Sequence, residues 1–349
     1  MRLLRQHPLR RVPVSATKGT SYYRLHTAVD IVTLVLTLLC HGCPLQAIVV
    51  AFGLDERTVA SWQARAGQHC QAVHAHLVAV GQVDVQHVQA DELWVKLVGR
   101  RVWMAMALAV PSRLWLGGVV SAHRDLSLIL RLVQLVRSCA VTAAILVCVD
   151  GVASYVTAFR RVFRQPVHTG QRGRPRLVAE PGLLLGQVVK QYAQRHVVSV
   201  TRRAVLGSAD AIAAVLATTQ SGTAINTAYI ERLNATFRAC LAPLIRRADA
   251  RRAAVALAHT DVVLTTGMYL VGCAYNFCWV HASLRHLAPA GHALKWQDGT
   301  PAMAAGLTDH CWTMSELLHY QVPLPVWIPP KRRGRPPNAS KPSALGAAV

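Results

Sequence analysis

Hydrophobic positions change period several times along the chain, and each change predicts an element. From Ala28 to Leu39 apolar residues recur at helical spacing and stop at His41-Gly42, which predicts a first helix. A short second helix is expected from Pro44 to Phe52, and Gly53-Leu54 forms a turn. Asp55 is placed to cap a third helix that opens with Glu56. Val59 and Trp62 fall on its inner side, which leaves Arg57, Thr58, Ser61, Gln63 and Arg65 facing outward. That order of helix, glycine turn and helix is the helix-turn-helix pattern, and such outward residues can reach phosphates or base edges.

Near Val83 the period shortens to two. Residues Val83 to Ala90 alternate and predict a strand ending at Asp91. Strand-like runs follow at Val102–Val110 and Leu114–Ser121, and Asp125 can cap a helix through Arg137. The almost continuous apolar run Ala143–Val149 ends in Asp150-Gly151, which suits a central strand buried on both faces. A helix is expected over Val152–Phe163. The order then breaks: Gln165 to about Leu185 is rich in Pro, Gly and Arg, and β-branched residues fill Val188–Val200. Helical pattern returns at Ala209–Thr218, Ile225–Leu244 and Val262–Trp279.

Three strands, a helix, a strand and a helix open a ribonuclease-H-like α/β fold, a mixed sheet flanked by helices. The organisation expected from this is a basic flexible N-terminus at 1–24 and a helix-turn-helix module at 25–80. A ribonuclease-H-like catalytic domain would follow at 81–285, with a basic insertion at about 164–224 before its final helix. A C-terminal extension at 286–330 and a disordered basic tail at 331–349 complete the reading.

Composition narrows the function. Apolar residues make up 52%, which excludes disorder for most of the length. There are 38 Lys and Arg against 16 Asp and Glu, a formal charge of +22, and that surplus predicts a polyanionic partner. The nine cysteines are odd in number and scattered, as reduced thiols of a cytosolic protein would be; Cys40 and Cys43 form a pair without a second one at finger spacing. The apolar run Ile31–Cys40 is too short to span a bilayer, and the basic start lacks a cleavage pattern. A cytoplasmic protein of bacterial type, associated with the nucleoid and not with a membrane, is the expectation.

Acidic side chains are scarce enough that their placement is informative: the chain has only five glutamates. Asp91 ends the alternating strand, Asp150 closes the buried strand, and Glu231 lies on the helix that also carries Asn234 and Arg238, three and seven positions on. Three carboxylates from three elements can hold two divalent ions for phosphodiester chemistry. Glu92 competes with Asp91, but neighbours on a strand point to opposite faces, so it is expected away from the site. Trp94 is read as a core residue, with base stacking as its alternative.

The phrases Asp91-Glu92-Leu93-Trp94, Val149-Asp150-Gly151 and Asn226 to Asn234 resemble the catalytic domain of insertion-sequence DDE transposases. So do Tyr275-Asn276 with His281, Ser283 and Leu284, and the phrase Thr300-Pro301-Ala302-Met303-Ala304. The resemblance covers roughly residues 28–320. It implies a magnesium-dependent transposase in which Asp91, Asp150 and Glu231 hold two ions (manganese serving in their place), while Asn234 and Arg238 position DNA. Hydrolysis at an element end would free a 3′-hydroxyl that attacks target DNA. Duplex DNA and further copies of the chain would be the partners, with no small-molecule substrate. One departure stands out: the interval of 81 residues from Asp150 to Glu231 exceeds that of many relatives, hence the expected insertion.

Two segments, Arg172-Gly173-Arg174-Pro175 and Arg333-Gly334-Arg335-Pro336, resemble AT-hooks. Such elements place their arginines (here Arg172, Arg174, Arg333 and Arg335) in a narrow minor groove. Alternatives to a transposase are a ribonuclease-H-like nuclease or resolvase without strand transfer, a non-catalytic DNA-binding repressor, and a basic RNA-binding protein.

Overall fold

The computed structural model describes residues 17–97, 100–168, 170, 173–194, 196–219, 221–241, 261–287 and 295–323. Arg172, Arg333, Arg335 and the expected tail at 331–349 lie outside the described residues, as do residues 1–16.

Three helices come first, α1 (Val29–Cys40), α2 (Leu45–Phe52) and α3 (Glu56–Leu77). Their joints use the expected chemistry. The Asp55 carboxylate accepts the N–H groups of Arg57 at 2.9 Å and Thr58 at 3.2 Å, satisfying donors that the first turn of α3 leaves open. Gly53 ends α2 at φ +61°, a conformation that costs other residues steric strain. Val59 and Trp62 are buried. Of the residues expected to face outward, Arg57 and Ser61 are exposed, while Thr58, Gln63 and Arg65 are half-buried.

The remainder runs β1 (His87–Leu97), β2 (Arg100–Ala109), β3 (Trp115–Ser121), α4 (Leu126–Cys139), β4 (Leu146–Asp150) and α5 (Ala153–Val162). Then come β5 (Arg164–Val167), β6 (Arg176–Ala179), β7 (Leu184–Ala193), β8 (His196–Leu206), α6 (Ala209–Thr218), α7 (Ala228–Cys240) and α8 (Asp261–Cys273). Six strands form one mixed sheet in the order β3-β2-β1-β4-β7-β8. β1, β2 and β3 are antiparallel neighbours, β4 is parallel to both β1 and β7, and β8 returns antiparallel to β7. This α/β sheet is compatible with a ribonuclease-H-like arrangement.

The physical reasons are visible in the residues. β4 sits between two parallel neighbours, so Leu146 to Val149 are all fully buried and the strand reads as a solid apolar run. Asp125 caps α4 by accepting the Leu128 N–H at 2.9 Å, and α4 supplies the crossover that parallel strands require. Helices cover both faces. A β-carbon on Gly117 would meet Leu135 of α4 and one on Gly118 would meet Met268 of α8, so successive β3 positions look into opposite layers. α8 is buried almost all round, from Thr266 to Cys273. It crosses α3 where Gly67 lies so close to the Thr266 backbone that no β-carbon fits, which ties α3 into the main core. Among the described residues no helix is long and apolar enough to cross a membrane.

The stretch expected as an insertion is divided by the sheet. β5 and β6 pair with each other and stand apart from it. β7 instead bonds alongside β4, with Leu184 opposite Leu146 and Val188 opposite Asp150. Within the long interval before Glu231, β7 and β8 therefore belong to the main sheet, while β5 and β6 stand apart from it.

Candidate metal centre

Asp91 and Asp150 reach the same end of the sheet because β1 and β4 run parallel, with Ala90 opposite Val149. Glu92 joins them. Oxygens of Asp91, Glu92 and Asp150 lie within 4.8 Å of one another. Strand alternation holds: Asp91 turns to α7, where it accepts the Asn234 amide at 2.8 Å, and Glu92 turns the other way, to Arg124. The expectation that alternation excludes Glu92 is corrected by Asp150, which ends its strand and is reached from both faces.

Electrostatics makes the group unstable in its charges. Burial, then the charges of Glu92 and Asp150, push the Asp91 carboxyl up to about 7. Burial also raises Glu92 despite the opposing charge of Arg124. Arg124 approaches Glu92 at 3.1 Å and Asp150 at 3.4 Å, and its guanidinium lies 5.0 Å from the centre of the Trp103 ring. The second oxygen of Glu92 is buried and has no hydrogen-bond partner. The hydroxyl of Tyr155, buried near these acids, has none either.

Glu231 is not within the three-acid group, although its charge also helps to raise Asp91. Its Oε1 accepts Lys190 Nζ at 2.7 Å and Thr227 Oγ1 at 2.9 Å. Burial raises this carboxyl, but the bonds from Lys190 and Thr227 outweigh it and leave it below the usual range. Asn234 on the same helix is 2% exposed, and its amide holds Asp91. Arg238, one turn further on, is half-buried. Arg174 is exposed on the segment before β6.

Two buried glutamines fix this geometry. Gln89 lies two residues before Asp91 on the same face. It accepts the N–H groups of Tyr229 and Ile230 at 3.0 Å each and donates to the Asn226 carbonyl at 2.9 Å. It thereby supplies the cap that the first turn of α7 lacks and pins that helix beside Asp91. Gln187 donates to the carbonyls of Asp150 at 3.1 Å and Val152 at 3.2 Å, while Arg203 donates to it. Both were missed from sequence; the available signal is a polar residue in the buried register of a strand. Trp94 is another difference: it is 46% exposed, with Arg101 over its ring at 4.9 Å, and does not enter the core. All nine cysteines are unpaired, and among the described residues none joins a group able to hold a metal.

No protein-family model matches the chain, and no curated protein matches it significantly.

Proposed function

We propose that this chain is a metal-dependent phosphodiester transferase acting on DNA, of the insertion-sequence transposase class. The observation that carries the reading is the meeting of Asp91, Glu92 and Asp150 at one end of the mixed sheet. A crowded group with the Asp91 carboxyl pushed up to about 7 and an unpartnered Glu92 oxygen is a donor set that divalent cations relieve. Asp91, Asp150 and Glu92 would hold magnesium, and Glu231 would join once released from Lys190. When bound, such ions acidify water and stabilise a leaving oxygen. The chain's own residues orient the site. Asn234 fixes the Asp91 carboxylate, Gln187 holds the Asp150 backbone, and Arg124 offers positive charge to an arriving phosphate. The formal charge of +22, with Arg57 and Ser61 open on α3, supports duplex DNA as the partner.

The test is magnesium-dependent nicking of DNA flanking the chain's own gene. Wild type is expected to release 3′-hydroxyl ends and Asp150→Asn to release none; equal nicking by both proteins overturns the reading. The Lys190 ion pair on Glu231 favours a second reading, a nuclease without strand transfer that uses the three-acid group alone. Joined products in an integration assay decide between the two.

A further inference from the structure

On the far side of α7 from Glu231 lies a cavity of about 590 Å³ between the β2–β3 turn, α7 and the segment after α8. Three residues of one sequence phrase, Tyr275, His281 and Ser283, line it, and the metal centre uses none of them. Arg113 and Arg232 enter from two other elements, and among the described residues no acid is in its walls. The Arg113 guanidinium is already stacked, 3.9 Å from the centre of the Tyr229 ring. Tyr275 meets His281 edge-on at 4.6 Å and Trp279 edge-on at 6.1 Å, giving the cavity an aromatic wall. Burial, then the charges of Arg232 and Arg113, lower His281 to about 4, so its ring stays neutral and can both donate and accept.

Two arginines without a carboxylate call for an anion, and guanidinium forks match phosphate geometry. An aromatic, largely apolar wall calls for a planar ring, and the volume falls in the range of small-molecule sites. We infer that this cavity takes a single unpaired nucleotide of a DNA strand, its phosphate between Arg113 and Arg232 and its base against Tyr275 and Trp279. The inference rests on DNA as the partner and is independent of the acid group, so it is tested without metal.

In EDTA, full-length protein would be titrated with a flush duplex and with the same duplex carrying one unpaired terminal nucleotide. About tenfold tighter binding of the second is expected, the scale of one stacked base. Arg232→Gln, which removes an exposed charge, and Ser283→Trp, which fills the cavity from its exposed rim, should each reduce that advantage to less than about twofold. Deoxyadenosine monophosphate should compete at concentrations where inorganic phosphate does not. Equal affinity for the two duplexes, an advantage that survives both substitutions, or equal competition by phosphate overturns the assignment. Failure of nicking with the overhang preference intact would count against the metal centre and leave the cavity standing.

Discussion

Helix α7 divides two regions of opposite character. On one side it faces carboxylates: Asp91, bonded to Asn234, with Glu92 and Asp150 close by. On the other it contributes Arg232 to a cavity that holds Arg113 and, among the described residues, no acid. On the acid side Arg124 offsets part of the charge of Glu92 and Asp150, but Asp91 and Glu92 are largely buried, which makes their crowding costly. What each lacks differs in kind. The acid side is completed by cations and the arginine side by phosphate, and metal-bound DNA brings both. A helix that merely filled the core would have no reason to keep these charges apart.

The largest effect separates the sides by chemistry. Asp150→Asn should reduce magnesium-dependent nicking by roughly four orders of magnitude or more, the scale for removing a catalytic group. Arg232→Gln leaves the acid group intact and should act on DNA affinity instead. Measuring rate and affinity for both variants breaks the comparison if either one shifts both equally.

Acid pH should destabilise the arginine side and the core beneath β3 while leaving the carboxylates' own geometry aside. His74, fully buried against Trp115, is lowered to about 4 by burial, and His281 is lowered to about 4 by burial and the two arginines. A depressed histidine pKa means that the unfolded chain binds more protons between the two values. Stability is therefore full above about pH 6.5 and falls as pH drops towards 4. For His74 the loss is roughly 3 kcal/mol over that window. Urea unfolding at pH 7.5 and pH 5 checks it: His74→Gln should flatten the slope, and an unchanged slope removes His74 as its source.

Cations should stabilise one side only. At a magnesium concentration 100 times its dissociation constant, the folded state gains about 2.7 kcal/mol. Thermal unfolding with and without magnesium should show that gain in wild type and in Arg232→Gln, and should lose it in Asp91→Asn. A gain that persists in Asp91→Asn would place the cation elsewhere.

Much of this division was legible in the residues, because its parts are local. The buried strand ending in Asp150, the caps at Asp55 and Asp125 and the left-handed Gly53 each follow from a few consecutive side chains. Partners distant in sequence were not legible. The β-branched run from Val188 reads as strand, but nothing within it says that the residues leading into it, Leu184 to Val188, pair with β4. Gln89 and Gln187 act on backbone groups of other elements, and such bonds leave no period. Glu92 failed for a different reason. Alternation gave its face correctly, but a strand-end residue such as Asp150 is accessible from both faces.

The smallest expected effect bears on Glu231, the member of the proposed metal set that stands apart. The Lys190–Glu231 pair has side chains 35% and 49% exposed, so breaking it should cost less than about 1 kcal/mol of stability. Its consequence for metal use is the sharper readout. If Glu231 serves the acid group, Lys190 competes with the cation for its carboxylate. Lys190→Gln should then lower the magnesium concentration for half-maximal nicking by about threefold, with little change in melting temperature. If that concentration is unmoved while Glu231→Gln nicks as wild type does, the metal set is Asp91, Glu92 and Asp150. α7 would then serve the acid side through Asn234 alone.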